Sequence, residues 1–139
     1  MDASHDTTLP AEALLELVGT IYEGPLEAEP WRSFAERLRT VLAARNVAIT
    51  LHHPQGLVGD TYVMAQDTDD ATDWEAVETV YREQFMRDDP DRLELMRPGE
   101  ILEIGVAGIP REMAEMLAFF DIGKCLRISF AEPGGMRCW

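Results

Sequence analysis

The sequence predicts a single α+β domain, a sandwich of helices on a mainly antiparallel sheet of about five strands. Three observations predict it. Apolar residues recur at helical spacing in four segments, apolar and polar residues alternate in others, and the order reads α-α-β-β-α-β-α-β-β. The 139 residues, 46% of them hydrophobic, suffice for one compact core. Residues 9–139 are expected to form that domain, and the polar residues 1–8 a disordered N-terminus.

Each element follows from local pattern. Leu14, Leu15, Val18, Ile21 and Tyr22 recur at helical spacing, and Gly24-Pro25 stops that helix. A second helix is expected from Pro30, a first-turn residue, with Trp31, Phe34, Leu38, Val41 and Leu42 on one face. Val47, Ile49 and Leu51 then alternate with Ala48, Thr50 and His52, as in a strand. Pro54-Gln55-Gly56 turns the chain toward a second strand through Tyr62 and Met64. Thr72 and Glu75 carry a capping-box signature for a third helix from about Trp74 to Phe85, its inward face Trp74, Val77, Tyr81 and Phe85. A strand spans Glu100 to Ile104. Ile109-Pro110 opens a fourth helix with Met113, Met116, Leu117 and Phe120 inward, closed near Gly123. The strand CLRISF, the turn Pro133-Gly134-Gly135 and the strand MRCW complete the series. An apolar strand that stops at Trp139 leads us to expect a piece of a longer chain.

Charge narrows the function classes. With 26 acidic and 12 basic residues the formal charge is −14, which repels phosphate backbones and anionic membranes. No apolar run reaches the length of a membrane span, and MDASHDTTLP lacks the features of a signal peptide. Two cysteines without CxxC spacing argue for neither a disulfide framework nor zinc, and a cytoplasmic location is expected.

Chemical motifs are sparse. His52 and His53 are neighbours on a strand and point to opposite faces, so they cannot grip one metal. Asp67, Asp69, Asp73 and Glu78 resemble a calcium loop, but Ala71 occupies a ligand position and Thr72 the position that needs glycine. A solvated loop leading into a helix is the better reading. Cys125 and Cys138 read as small core residues rather than as a redox pair. Ser4, Ser33 and Ser129 are the only serines and none lies in a GxSxG turn. Nothing here argues for an enzyme, a metal or a cofactor.

The segment VYREQFMRDDPDR places Tyr81, Phe85 and Asp89 four residues apart. Periodicity alone reads this as a core helix followed by a helix cap before Pro90. Arg127 alternates with Leu126 and Ile128. It is either an exposed residue of the sheet or a buried one that requires an anionic partner, such as Asp89 or a ligand carboxylate.

The wider sequence resembles the N-terminal part of bacterial LuxR-type helix-turn-helix regulators. The resemblance rests on Ile21-Tyr22, Leu26, Trp31 and Phe34 with Leu38, then on Tyr81, Phe85, Asp89 and Pro90. It continues through Pro98-Gly99-Glu100-Ile101 and MLAFFDIGKCLRISFAEPGG. What it implies is a PAS/GAF-like α-β-α sensor domain, distantly similar to autoinducer-binding domains, with DNA bound only through a C-terminal helix-turn-helix domain outside these residues. It also implies a small-molecule effector, with Asp89 as polar anchor and Tyr81 and Phe85 as pocket walls. Ile104 stands where those domains place a pocket tryptophan, so the resemblance does not carry a ligand identity. Tyr62, Met64, Trp74, Met116, Phe120 and Arg127 are the remaining candidates for the pocket. A homodimer is expected through Leu14, Leu15, Val18, Ile21 and Tyr22, with Glu12, Glu16 and Glu23 at the rim. The other reading is a ligand-free dimerisation or protein-docking module on the same fold.

Overall fold

The computed structural model describes residues 8–52, 62–85, 96–105, 107–131 and 137–138. Four α-helices occur among them: α1 (Ala11–Glu23), α2 (Arg32–Val41), α3 (Trp74–Val80) and α4 (Arg111–Phe119). The strands are β1 (Asn46–His52), β2 (Tyr62–Gln66), β3 (Ile101–Gly105), β4 (Lys124–Ile128), β5 (Phe130–Ala131) and β6 (Arg137–Cys138). The fold is α+β, as the element order implied. Of the expected N-terminal tail, only Thr8 lies within the described residues. No described helix is long and apolar enough to cross a membrane.

The strands do not form one five-stranded sheet. The order β2-β1-β6-β5 makes a four-stranded sheet, and β3 and β4 form a second. The expected single strand CLRISF divides at Ser129. Its first part pairs antiparallel with β3, from Ile101 opposite Ile128 to Gly105 opposite Lys124. Its second part pairs with β6, Phe130 opposite Cys138, and β6 pairs in turn with β1, Leu51 opposite Cys138.

The backbone shows why the strand divides there. Arg97 to Glu100 form a turn closed by the Glu100 N–H donating to the Arg97 carbonyl (3.0 Å). Pro98 takes the second position and Gly99 the third, with φ at +81°, the pattern of a type II turn. Gly99 and Glu100 then both face Ser129. The Gly99 N–H donates to the Ser129 carbonyl (2.6 Å), and the Ser129 N–H donates to the Glu100 carbonyl (3.2 Å). Two residues opposite one, led by a left-handed glycine, make a β-bulge, which bends the strand locally.

By contacts the chain divides into two compact units. The first comprises Met1–Val47 and Val63–Gln66, the second Ala48–Tyr62 and Asp67–Trp139. In the first, α1 and α2 are joined by the 3-10 turn Gly24–Leu26. Leu17, Gly24, Ala35, Val63 and Ala65 are its buried residues. Trp31 lies before α2 rather than inside it, with φ at +61°, so the helix starts two residues later than expected from Pro30. The Trp31 N–H reaches the Gly24 carbonyl (3.1 Å). A Cβ on Gly24 would meet the Trp31 ring at 2.3 Å, so this position takes only glycine without rearrangement.

Helix α2 ends in a left-handed residue at Ala43 (φ 49°) and α4 at Asp121 (φ 56°). At each, two N–H groups return to carbonyls three and five residues back. Ala43 and Ala44 donate to Thr40 and Arg39, and Asp121 and Ile122 to Ala118 and Leu117. These are Schellman closures. Gly123 was expected to end α4; Asp121 does so instead, because a short polar side chain tolerates the left-handed region.

The second unit carries the other buried apolar residues: Trp74 and Val77 of α3, Met96, Ile104 of β3, and Met113 and Met116 of α4. Helix α3 begins on Asp73, whose carboxylate accepts from the Ala76 N–H (3.0 Å); Thr72 is not the cap. The helix then widens into a π-helical turn, Tyr81–Phe85.

Candidate functional site

The candidate residues divide between the two units. Met64 belongs to the first. It is half-buried, while its neighbours Val63 and Ala65 are buried, so β2 turns the opposite face inward from the one expected. The Met64 carbonyl accepts from Arg32 Nη1 (2.5 Å), and Arg32 Nε also binds Glu29 (2.9 Å). Tyr62 opens β2, and Asp89 lies outside the described residues.

The remaining candidates belong to the second unit. Trp74 and Met116 are buried; Tyr81, Phe85, Phe120 and Arg127 are half-buried. Trp74 Nε1 donates to the Asp70 carboxylate (3.1 Å), which satisfies the one polar atom of a buried indole. Phe120 meets Phe119 edge to face, with centroids 5.0 Å apart. The π-helical turn changes the geometry of the stripe. Its wider turn rotates the chain by less per residue after Val80, so Tyr81 and Phe85 do not continue the line of Trp74 and Val77 at α spacing. Such turns are frequent at functional sites.

Tyr81 and Arg127 come together. The Arg127 guanidinium carbon lies 5.2 Å from the centroid of the Tyr81 ring, within the range of a cation–π contact. Register explains how a strand arginine reaches this position. Residues directly opposite in an antiparallel pair share a face, so Leu102, Ile104, Cys125 and Arg127 lie on one side of the β3–β4 pair. Ile104 is buried on that side. Ile101, Glu103, Leu126 and Ile128 lie on the other, where Ile101 and Leu126 are exposed.

One residue of this inner face was not anticipated from the sequence. Ser129, two positions beyond Arg127, is 0% exposed. Its Oγ has no hydrogen-bond partner among the described residues. The available signal was a hydroxyl residue between Ile128 and Phe130 in register with Arg127. Cys125, read as a core residue, is exposed, although Ile104 directly opposite it is buried.

On the outer face, Lys124 and Glu103 pair at 2.9 Å. The hydrogen bond and then the charge of Lys124 hold the Glu103 carboxyl below its ordinary value, and Glu103 raises Lys124 for the same two reasons. The acidic loop before α3 uses its carboxylates on its own backbone: Asp67 accepts from the Asp69 N–H (3.1 Å) and Asp70 from the Thr72 N–H (3.0 Å). No group of three His, Cys, Asp or Glu residues suited to a metal ion occurs among the described residues.

A separate open groove of about 590 Å³ lies in the first unit, between α1 and α2. Glu16, Gly19, Thr20 and Glu23 line one side, and Ser33, Glu36, Arg37 and Thr40 the other. Arg37 and Glu16 form an ion pair across it. None of the pocket candidates named from the sequence lies there.

No protein-family model matches this chain, and neither the curated proteins nor the solved structures include a significant match.

Proposed function

We propose that this chain is the signal-sensing module of a LuxR-type transcriptional regulator, binding a small-molecule effector in its second unit. The observation that carries the reading is the Arg127–Tyr81 contact beside the buried Ser129 hydroxyl. A buried hydroxyl without a partner, two residues from a half-buried strand arginine, is costly in a core that has only to pack. A pocket that orients a ligand requires such convergent polar groups among apolar walls. In this proposal Tyr81 and Phe85 are pocket walls with Trp74, Met116 and Phe120, and Arg127 offers a cation to an acidic or carbonyl-bearing effector. Asp89 is the proposed anchor for the effector's donor group, on the strength of the resemblance alone.

Only Ser129 separates β4 from β5, so the two are consecutive parts of one strand path. A PAS/GAF-like sensor fold is proposed from the resemblance, with β4 and β5 as the strand path that links the two sheets. DNA contact would fall to a C-terminal helix-turn-helix outside these residues, consistent with a charge of −14.

The test is direct. Protein purified without denaturant is extracted, and the extract is compared by mass spectrometry with that from Arg127→Ala and Tyr81→Ala variants. A small molecule present in the parent and reduced in both variants is expected. An identical extract from all three, with unchanged folding, would exclude the pocket.

A second reading is favoured by a specific observation. Ile101 is 63% exposed, and Leu126 and Phe130 are 54% exposed. Ile101 and Leu126 share the outer face of the β3–β4 pair. A docking module would use such a surface in place of a pocket.

A further inference from the structure

Strand β3 has one paired edge and one open edge. β4 is its one neighbour among the described strands. The bulge fixes which backbone groups face that neighbour. The Ser129 N–H donates to the Glu100 carbonyl (3.2 Å), so by the alternation of an antiparallel ladder Leu102 and Ile104 also turn their N–H and carbonyl groups toward β4, opposite Arg127 and Cys125. Those of Ile101, Glu103 and Gly105 point away from β4, along the open edge. They bond to no other described residue. On the outer face Ile101 and Glu103 are exposed, and Leu126, also exposed, lies opposite Glu103. Glu103 Oε1 holds Lys124, while its Oε2 has no partner among the described residues.

We infer that the open edge of β3 docks an extended basic segment of a partner protein, which adds a strand beside Ile101–Gly105. The inference rests on the docking reading of the outer face, and adds to it the edge that is paired and the chemistry of the partner. Unpaired N–H and carbonyl groups on an edge strand are a template for a further strand, whose backbone gives affinity and whose alternate side chains give specificity. Residues two apart on the added strand share a face. An aliphatic residue beside Ile101 and a lysine or arginine beside Glu103 therefore satisfy the apolar surface and the open carboxylate oxygen together. Charge selects the occupant. A formal charge of −14 attracts a basic segment and repels a second copy of this chain. Two β3 edges paired antiparallel about their middle residue would also set Glu103 opposite Glu103, and like charges directly opposite are destabilising.

The probe is the blocked peptide Thr-Val-Thr-Lys-Thr-Val-Thr, which presents valine, lysine and valine on one face in either strand direction, and its control carries glutamate in place of the lysine. Both are titrated into the chain and followed by NMR. The lysine peptide is expected to shift the backbone amides of Ile101, Glu103 and Gly105 and to slow their hydrogen exchange, and the glutamate peptide to bind about tenfold more weakly. The Glu103→Lys/Lys124→Glu variant keeps the cross-strand ion pair but reverses the charge at the edge, and is expected to prefer the glutamate peptide. The comparison of the two peptides on the parent chain stands whether or not that variant folds. Unmoved edge amides, or equal binding of the two peptides by the parent, overturn the inference. Shifts confined to the Leu126 methyl groups would also overturn it while leaving the docking reading of the outer face intact. Edge amides protected without peptide, and more so as protein concentration rises, would assign the edge to a second copy and overturn it as well.

Discussion

The Arg127 guanidinium sits 5.2 Å from the centre of the Tyr81 ring, joining strand β4 to the π-helical turn that follows α3. Alternation leaves Arg127 either exposed or buried against an anionic partner; the structure holds it half-buried against a ring. The residue shares the face of its strand pair on which Ile104 is buried, with its charge against a ring. The contact is worth ~0.5–1 kcal/mol at a partly exposed site, rising toward ~2 when desolvated. We expect a double-mutant cycle of Tyr81→Leu and Arg127→Met to give a coupling of about 1 kcal/mol in urea unfolding. Tyr81→Phe keeps the ring face and should preserve most of it. Strictly additive single effects would mean that the contact has no energetic weight.

Ser129 supplies a prediction of opposite sign. A buried hydroxyl left without a partner costs about 1–3 kcal/mol of desolvation. Replacing Ser129 by Ala removes the polar atom and little volume, so the variant is expected to be more stable, by about 1 kcal/mol, in denaturant melts. If Ser129 serves an effector, the same variant should also lose effector-dependent protection against thermal unfolding. A destabilised Ser129→Ala would show that the hydroxyl is already satisfied.

The left-handed residues give a test of the helix ends. Ala43 holds φ at 49° in the Schellman closure of α2, a conformation that disfavours every residue with a Cβ. Ala43→Gly is expected to stabilise the chain by about 1 kcal/mol. The same change at Ala44, which does not have a positive φ, should be neutral or destabilising. The converse holds at Gly24, where a methyl group would collide with the Trp31 ring. Gly24→Ala is expected to cost about 1–3 kcal/mol, the usual penalty of overpacking. Chemical denaturation of the three variants reads all of these effects.

The Glu103–Lys124 pair predicts a pH dependence. Glu103 titrates below its ordinary value of 4.5, so its share of stability is present above that value and fades as pH falls through the lowered one. Lys124 titrates above its ordinary 10.5, so its share persists up to that value and is lost as pH rises beyond it. Both side chains are exposed and salt screens them, so the effect on global stability is small. The sensitive measurement is the carboxyl titration of Glu103 by NMR. In Lys124→Met it should return toward the ordinary value, and 1 M salt should move the parent in the same direction.

The α+β class, the places of all four helices and the approximate spans of β1 to β4 were legible in the residues, because each depends on local periodicity and local stops. Gly24-Pro25 ends α1, Pro110 precedes α4, and Pro98-Gly99 builds the turn before β3, all through backbone preferences that act within a few residues. Faces were legible only where a single packing partner was implied. Met113 and Met116 lie inward as their spacing required. Met64 does not, because alternation says that two faces differ but not which one meets the core. The stripe of α1 is apolar by sequence and exposed in the structure, since amphipathicity states that a face seeks cover without naming what supplies it. Three features required the tertiary structure: the division of CLRISF at Ser129, the π-helical turn at Tyr81, and the reach of Arg127 to its ring. The first and the third arise from pairing between residues far apart in the chain, β4 against β3 and Arg127 against Tyr81. Local propensity carries no term for such pairings.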